Sequence, residues 1–459
     1  MSPSHRWKMS SAVGGMLGVV LLAAGMSVAA SEAAPRTDER TQRSLASRSV
    51  SYSPATRGSA TRDDSPAAFD WRCIPTDGAD CRSNAAGLSP QAARQPASVV
   101  ERDLTTAIDQ LGDFDYDVRT RASSLVRRTP EEQARPALAT AVSGHADSYV
   151  RFRALVLLVG FGGVVARQAV LGVLADPNDR LRAVAYGYIE HNPTSATAGQ
   201  LLRALDTETS EFVRPALIRA LAAHDADSAV RARLVADIDR GVDFFRGAVI
   251  EALGDRGATY ALDPLMRIAG ELGPLQDDAI LALARIGDAR ALPTVASLQG
   301  QDAVLEPMVS AAAASLGADH DEHARFVAES LRFAAAAGDQ QSLLRSAAAG
   351  LGALASRDDA GALRVLFDVA VGAPPIAREP IALVLGALAM RHPNAVLAHL
   401  ETRTDLEAVA LVLRDAFDML NEDLEEERFF MTVRAAFWAA PEQSQARTVA
   451  EELIRVLEF

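Results

Sequence analysis

The sequence predicts an all-α fold: an α-solenoid of stacked antiparallel helix pairs, preceded by a disordered N-terminal segment. Three observations carry that expectation. Hydrophobic residues make up 49% of the 459-residue chain but aromatics only 5%, and a mixture dominated by Ala and Leu favours helices over strands. From Val99 onward, helical blocks alternate with short polar or Gly-containing turns, and no block alternates as a strand would. A bulky apolar residue followed by Arg recurs at Val118 and Arg119, Val150 and Arg151, Leu181 and Arg182, Val213 and Arg214, and Phe245 and Arg246, at steps of 32, 31, 32 and 32 residues. A fixed period in this range marks a solenoid.

Residues 1–30 read as an export signal. His5, Arg6 and Lys8 precede an uncharged run from Met9 to Ser31, and the small residues of "SVAAS" suit cleavage after Ala29 or Ala30. The competing reading is an uncleaved anchor helix, since the uncharged run approaches spanning length. No Cys lies here, which argues against a lipid-modified N-terminus. Residues 31–97 are rich in Ser, Ala, Arg, Thr and Pro and lack sustained apolar periodicity. Such a segment cannot bury enough apolar surface to offset its ordering entropy, so a flexible low-complexity spacer is expected. Its two cysteines, Cys73 and Cys81, are the only ones in the chain. With an export signal ahead of them they are expected to close a short disulfide loop, because a metal site would want more ligands than this stretch offers.

Residues 98–459 are expected to form the solenoid, including C-terminal capping helices. The opening units carry the apolar–Arg step, as in "SEFVRPALIRAL" from Ser210 to Leu221, where Val213, Leu217, Ile218 and Leu221 share one side of a helix. After Phe245 the Arg drops out, but "ALGDRGATYALDPL" and "ARIGDARALPTVASL" keep the pattern of helix, capping Gly, Asp in the turn and second helix. Weaker copies of the helix end follow at Gly317, Gly352 and Gly386. No unit buries enough surface to stand alone, so neighbours must supply the missing burial, and the stack should form a curved rod on the order of 100 Å long.

With "VRPALIRAL" and "GDARALP" in view, the chain resembles the HEAT-like repeats, in the variant also found in phycobilisome lyase subunits. The resemblance covers about Val99 to Leu400, most clearly Asp113 to Leu298. It implies a scaffold that binds a protein partner; the lyase-associated relatives imply an alternative, an enzyme or accessory subunit acting on a bound ligand. It also implies that the acid and Arg positions bridge adjacent repeats. Acids stand six residues ahead of the Arg at Asp113, Asp176 and Glu208, while the second and fifth units depart from this with His145 and Arg240. Stacking equivalent units lines up Arg119, Arg151, Arg182, Arg214 and Arg246 along one edge, and these five are the candidate binding residues.

Composition excludes several chemistries. The only Lys is Lys8, so a chain cleaved after its signal has no Lys for a P-loop or a Schiff base. No GxSxG or HExxH occurs. No catalytic residue, metal site or cofactor is expected, and the chain is read as a non-enzyme. "GFGG" (Gly160 to Gly163) and "GLGALA" (Gly350 to Ala355) read as close helix packing or helix-ending turns. "GADHDEHARF" (Gly317 to Phe326) reads as acids complementing the next helix N-terminus, with a surface metal site through His320 and His323 as the alternative.

Formal net charge is -14, concentrated C-terminal to Ile250, where 32 acids face 17 arginines. Such acidity repels nucleic acid and anionic lipid. Neither is therefore expected as a partner, nor a membrane once the signal is cleaved. The acid-rich "NEDLEEER" (Asn421 to Arg428) is expected to be a solvated helix face, or a docking surface for a basic protein. Phe429, Val433 and Phe437, flanked by Phe430 and Trp438, are expected to pack the core of a capping unit. The whole reads as a periplasmic or secreted scaffold engaging its partner along an extended concave face.

Overall fold

The computed structural model describes residues 97–459; the expected export signal, the spacer and the Cys73–Cys81 disulfide fall outside the described residues. The described chain is all helix and turn, with no strand. Its first half runs α1 Ala97–Gln110, α2 Tyr116–Arg128, α3 Glu131–Gly144, α4 Ser148–Phe161, α5 Gly163–Gly172, α6 Asp179–His191, α7 Ala198–Thr207, α8 Arg214–Ala222, α9 Ser228–Asp237, α10 Asp243–Asp255 and α11 Leu262–Gly270. The second half runs α12 Gln276–Ile286, α13 Leu292–Leu298, α14 Glu306–Ser315, α15 His320–Ala337, α16 Gln341–Ala355, α17 Ala360–Gly372, α18 Pro375–Arg391, α19 Pro393–Leu400, α20 Leu406–Leu420, α21 Asp423–Ala439 and α22 Gln445–Leu457. Even-numbered helices stack on one another in one layer, and the odd-numbered helices cover them as a second. This is the expected α-solenoid.

The repeat register is set by caps three residues before the apolar–Arg step. Asp115, Asp147 and Asn178 accept from the amides of Asp117, Tyr149 and Arg180 at 2.8, 2.7 and 3.0 Å, which satisfies a donor that the first helical turn would otherwise leave open. The apolar residue then faces inward in four of the five steps: Val150, Leu181, Val213 and Phe245 are buried, and Val118 is half-buried. Ser210 and Val242 occupy the equivalent cap position in the fourth and fifth units. Neither makes a side-chain cap, and Ser210 instead takes the Val213 and Arg214 amides on its backbone carbonyl.

The glycines expected to end helices divide into two groups. Gly287 closes α12 in the left-handed conformation at φ 66°, and Gly317 follows α14 at φ 103°; a side chain would be strained at either place. Gly254, Gly352 and Gly386 instead lie inside α10, α16 and α18. There the missing side chain admits a neighbouring helix. A Cβ at Gly254 would stand 2.8 Å from the Ala282 Cα of α12.

Burial divides into two contiguous apolar clusters. One runs from Leu104 to Leu316 and takes in Ala349 and Ala353 of α16 and Leu424 of α21, and the other runs from Ala311 to Phe459, so the two meet at α14 and α16. Phe429, Phe430 and Val433 are buried in the second cluster as the capping reading expects, whereas Trp438 remains exposed. The expected curved rod is corrected by α21. This helix packs not only on α18, α19 and α22 but also on α4 and α6, so the last units return to the first. Further links cross the inner face: Arg391 of α18 pairs with Asp255 of α10, and Arg357, just beyond α16, donates to the Arg285 carbonyl of α12 at 2.8 Å. Among the described residues no single helix is long and apolar enough to cross a membrane.

Candidate functional site at the seam of the array

The seam is built from the acidic stretch that the sequence presents as a solvated face. Asn421, left-handed at φ 54°, caps α20 and turns the chain so that α21 begins with Asp423, Leu424 and Glu425 against the inner layer. Glu425 and Glu427 are buried, Glu427 to 2% exposure. That burial overturns both earlier readings of the stretch, because these carboxylates are already spoken for. Arg127 of α2 donates to Glu427 from Nε at 2.9 Å and from Nη2 at 2.6 Å, and Arg434 adds a contact at 3.1 Å. Arg153 of α4 pairs with Asp423. Glu425 lies 2.9 Å from His191 Nε2 of α6 and accepts from Arg428 at 2.7 Å.

Two glycines make room for α21. A Cβ at Gly160 of α4 would sit 2.7 Å from Glu427 Oε1, and one at Gly187 of α6 would sit 2.6 Å from Leu424 Cδ2. Leu424 is the only residue of α21 that joins the N-terminal apolar cluster. The "GFGG" expectation is met twice over: Gly160 is a close-packing position, and Gly162 and Gly163, at φ 64° and 82°, turn the chain from α4 into α5.

Electrostatics at the seam pull in opposite directions on neighbouring acids. Burial opposes ionisation of Glu425, yet the His191 hydrogen bond and the positive field of His191, Arg428 and Arg219 hold it down to about 2. Burial likewise works against Glu427, but Arg127 and Arg434 keep it below the ordinary range. Glu426 points elsewhere. Burial pushes it up to about 7 despite the attraction of Arg153, with Asp418 and Glu422 adding repulsion. Burial lowers the Arg153 guanidinium, whereas Arg219 is raised, because Glu190, Glu422, Glu425 and Glu251 more than offset its burial.

Glu190, His191 and Glu425 bring their ligand atoms within 4.8 Å of one another, a spacing that could hold a metal ion. The same carboxylates already face guanidiniums: Arg219 donates to Glu190 at 3.1 Å, and Arg428 contacts both Glu425 and His191 Nε2. Two positive charges in place disfavour a third, and the arrangement is that of an ion-pair network. In "GADHDEHARF", Asp319 caps α15 by accepting from the Glu322 amide at 3.1 Å, and His320 lies 3.1 Å from Asp359.

A cleft of about 680 Å³ opens at the outer end of the seam. Its walls come from α2, α4, α20 and α21 and the last residues of the chain, with Arg119, Arg127, Arg153, Arg414, Asp418 and Glu426 among them. Tyr116, nearly half exposed, is part of its lining, and Phe114, two residues earlier on the turn before α2, is fully exposed.

The five ladder arginines all begin even-numbered helices, but they do different things. Arg151 reaches Asp176 at 2.5 Å, and Arg182 grips Glu208 at 2.8 Å through both Nε and Nη2 while also donating to the Asp176 carbonyl at 2.7 Å. These are links from one unit to the next. Arg119 donates to the carbonyls of Asp113 and Phe114 and lines the cleft. Arg214 lies over the Phe245 ring at 4.5 Å, and Arg246 bonds the Ile238 carbonyl and Asp243. Sequence reasoning missed the seam set of Arg127, Arg153, His191 and Arg219. Gly160 and Gly187 were the available signal, since a Gly inside a helix costs about 1 kcal/mol relative to Ala and calls for a packing reason.

Comparison with known proteins matches residues 104–190 to the HEAT repeats family model. No curated protein matches the chain. Among solved structures, the crystal structure of Kap121p aligns at 13% identity and a TM-score of 0.35, covering 78% of this chain and 46% of that one. Kap121p bound to RanGTP aligns at 13% and 0.30, covering 79% and 40%. The chain thus spans less than half the length of either. The family match over α1 to α6, the Arg-to-acid bridges between consecutive units and the helix pairs stacked along the rest of the described chain give it a HEAT-like repeat fold.

Proposed function

We propose that the chain is an exported scaffold, working in a periplasmic or secreted compartment, that binds a protein partner at the seam where the array returns on itself. The cleft and the turn before α2 carry this reading. Tyr116 and Arg119 line the cleft, whose walls bear both signs of charge, and Phe114, whose carbonyl accepts from Arg119, presents its ring to solvent. Aromatic and Arg side chains dominate the energetics of protein interfaces. The ladder contributes through Arg119, while Arg151 and Arg182 hold units together. No bond is made or broken on this reading. Export rests on the N-terminal apolar run and its basic flank.

The test is a photo-cross-linking side chain placed at Phe114 in the full chain, followed by identification of the adduct and titration of that purified partner. Replacing Phe114 and Tyr116 by Ala should weaken the partner at least about tenfold, on the scale of interface hot spots. Partner capture that survives deletion of residues 97–459 would overturn the scaffold reading. A chromophore or other small ligand retained in the cleft on purification would favour a lyase-type accessory role, which the cleft's volume also accommodates.

A further inference from the structure

The seam differs from the contacts between consecutive units. Between stacked units a continuous apolar core carries the contact, with Arg-to-acid bridges at its edge. Between α21 and the first units it is carried by Arg127–Glu427, Arg153–Asp423 and His191–Glu425 and by the Arg127 guanidinium 5.4 Å from the Phe430 ring, with Leu424 as the one side chain of α21 that enters the opposite apolar cluster. The apolar face of α21, Phe429, Phe430 and Val433, belongs wholly to the C-terminal cluster. Separating α21 from α4 and α6 therefore leaves both apolar clusters nearly intact. It would uncover a groove floored by Gly160 and Gly187 and edged by Arg127, Arg153, His191 and Arg219.

We infer that this groove is a receptor for an acidic amphipathic helix, that α21 is its resident intramolecular occupant, and that a protein partner carrying such a helix binds by displacing it. This deepens the scaffold reading and rests on it. The seat is built for one chemistry. It takes a carboxylate at each of three positions within five residues (Asp423, Glu425 and Glu427), with a single Leu between the first two to enter the space over Gly187. A basic segment would meet guanidiniums in the groove, and an apolar one would leave them buried without partners. The chain's charge has the same logic, since an acidic plug cancels the basic strip it covers.

The experiment uses the full chain and a fluorescent synthetic peptide with the sequence of residues 421–439. A Leu424→Arg/Glu427→Arg variant alters only the plug, setting a charge over Gly187 and repelling Arg127, and leaves the groove untouched. Hydrogen exchange should rise in α4 and α6 while α8 to α14 stay protected, and the variant should bind the peptide at least tenfold more tightly than the wild type. Adding Gly187→Leu should abolish that gain, because the new side chain fills the seat. No gain in the opened variant, or a gain indifferent to Gly187→Leu, overturns the proposal. If the variant fails to fold, the wild type decides: saturating peptide must raise exchange across Asp423–Ala439, and unchanged exchange sinks displacement. Capture of the native partner at Phe114 is measured separately, so failure here with that capture intact refutes displacement and leaves the scaffold standing.

Discussion

At the scale of single residues, position within the repeat was legible and long-range pairing was not. The acids six places ahead of the ladder mark real bridges at Asp176 and Glu208 because stacked units repeat every 31 or 32 residues, which brings the acid of one unit beside the Arg of the unit before. Among the described residues no unit precedes that of Asp113, and its carbonyl serves Arg119 within its own unit. Arg182→Ala should therefore cost on the order of 3 kcal/mol in chemical denaturation, since it strands a nearly buried Glu208. Arg119→Ala should cost under about 1 kcal/mol, in line with an exposed polar contact. Glu426 makes a different test. Its carboxyl sits above its ordinary value of 4.5, at about 7, so the neutral form favours the folded seam. That contribution is complete below pH 4.5 and is lost as pH rises through 7. Glu425, held at about 2, contributes in the opposite sense, and its share is present above pH 4.5 and lost on acidification. Glu426→Gln should accordingly raise Tm at pH 8 and leave it nearly unchanged at pH 4, in parallel melts of the two proteins.

At the scale of helices, the sequence predicted the elements well and misassigned several of their glycines. A Gly after an apolar run reads as a stop signal, and Gly287 and Gly317 are stops. Gly254, Gly352 and Gly386 occupy similar places in their units yet continue the helix, because what they lack is needed by the next helix over. Sequence alone cannot separate these roles, since both require the same absent side chain. Substitution can. Gly254→Leu drives a side chain into the backbone of α12 and should cost at least about 1 to 3 kcal/mol of stability. Gly187→Leu meets only the Leu424 side chain, so it should leave the melting of α8 to α14 unchanged and raise exchange in α21. The aromatic stripe of α21 was half legible for a similar reason. Phe429 and Val433 follow helical periodicity into the core, while Trp438 stays exposed, edge-on to Phe437 with ring centroids 4.7 Å apart.

At the scale of the whole array, periodicity announces neighbours and is silent on everything else. A repeat of 32 residues states that each unit touches the next; it carries no information that Arg127 meets Glu427, 300 positions away. The rod expected from stacking alone treated the acidic C-terminal stretch as surface because nothing local contradicted it. What corrected it was the burial of Glu425 and Glu427, an outcome set by curvature accumulated over the units between. That return has a consequence for how the molecule comes apart. A linear stack of repeats frays from its tips, where each outermost unit has one neighbour instead of two. Here the tips hold each other, so the weakest place moves from the extremities to the join, and unravelling must wait for the join to part. Native-state exchange should show near-uniform protection from α2 through α21 in the wild type, and a gradient falling toward both ends once the join is broken.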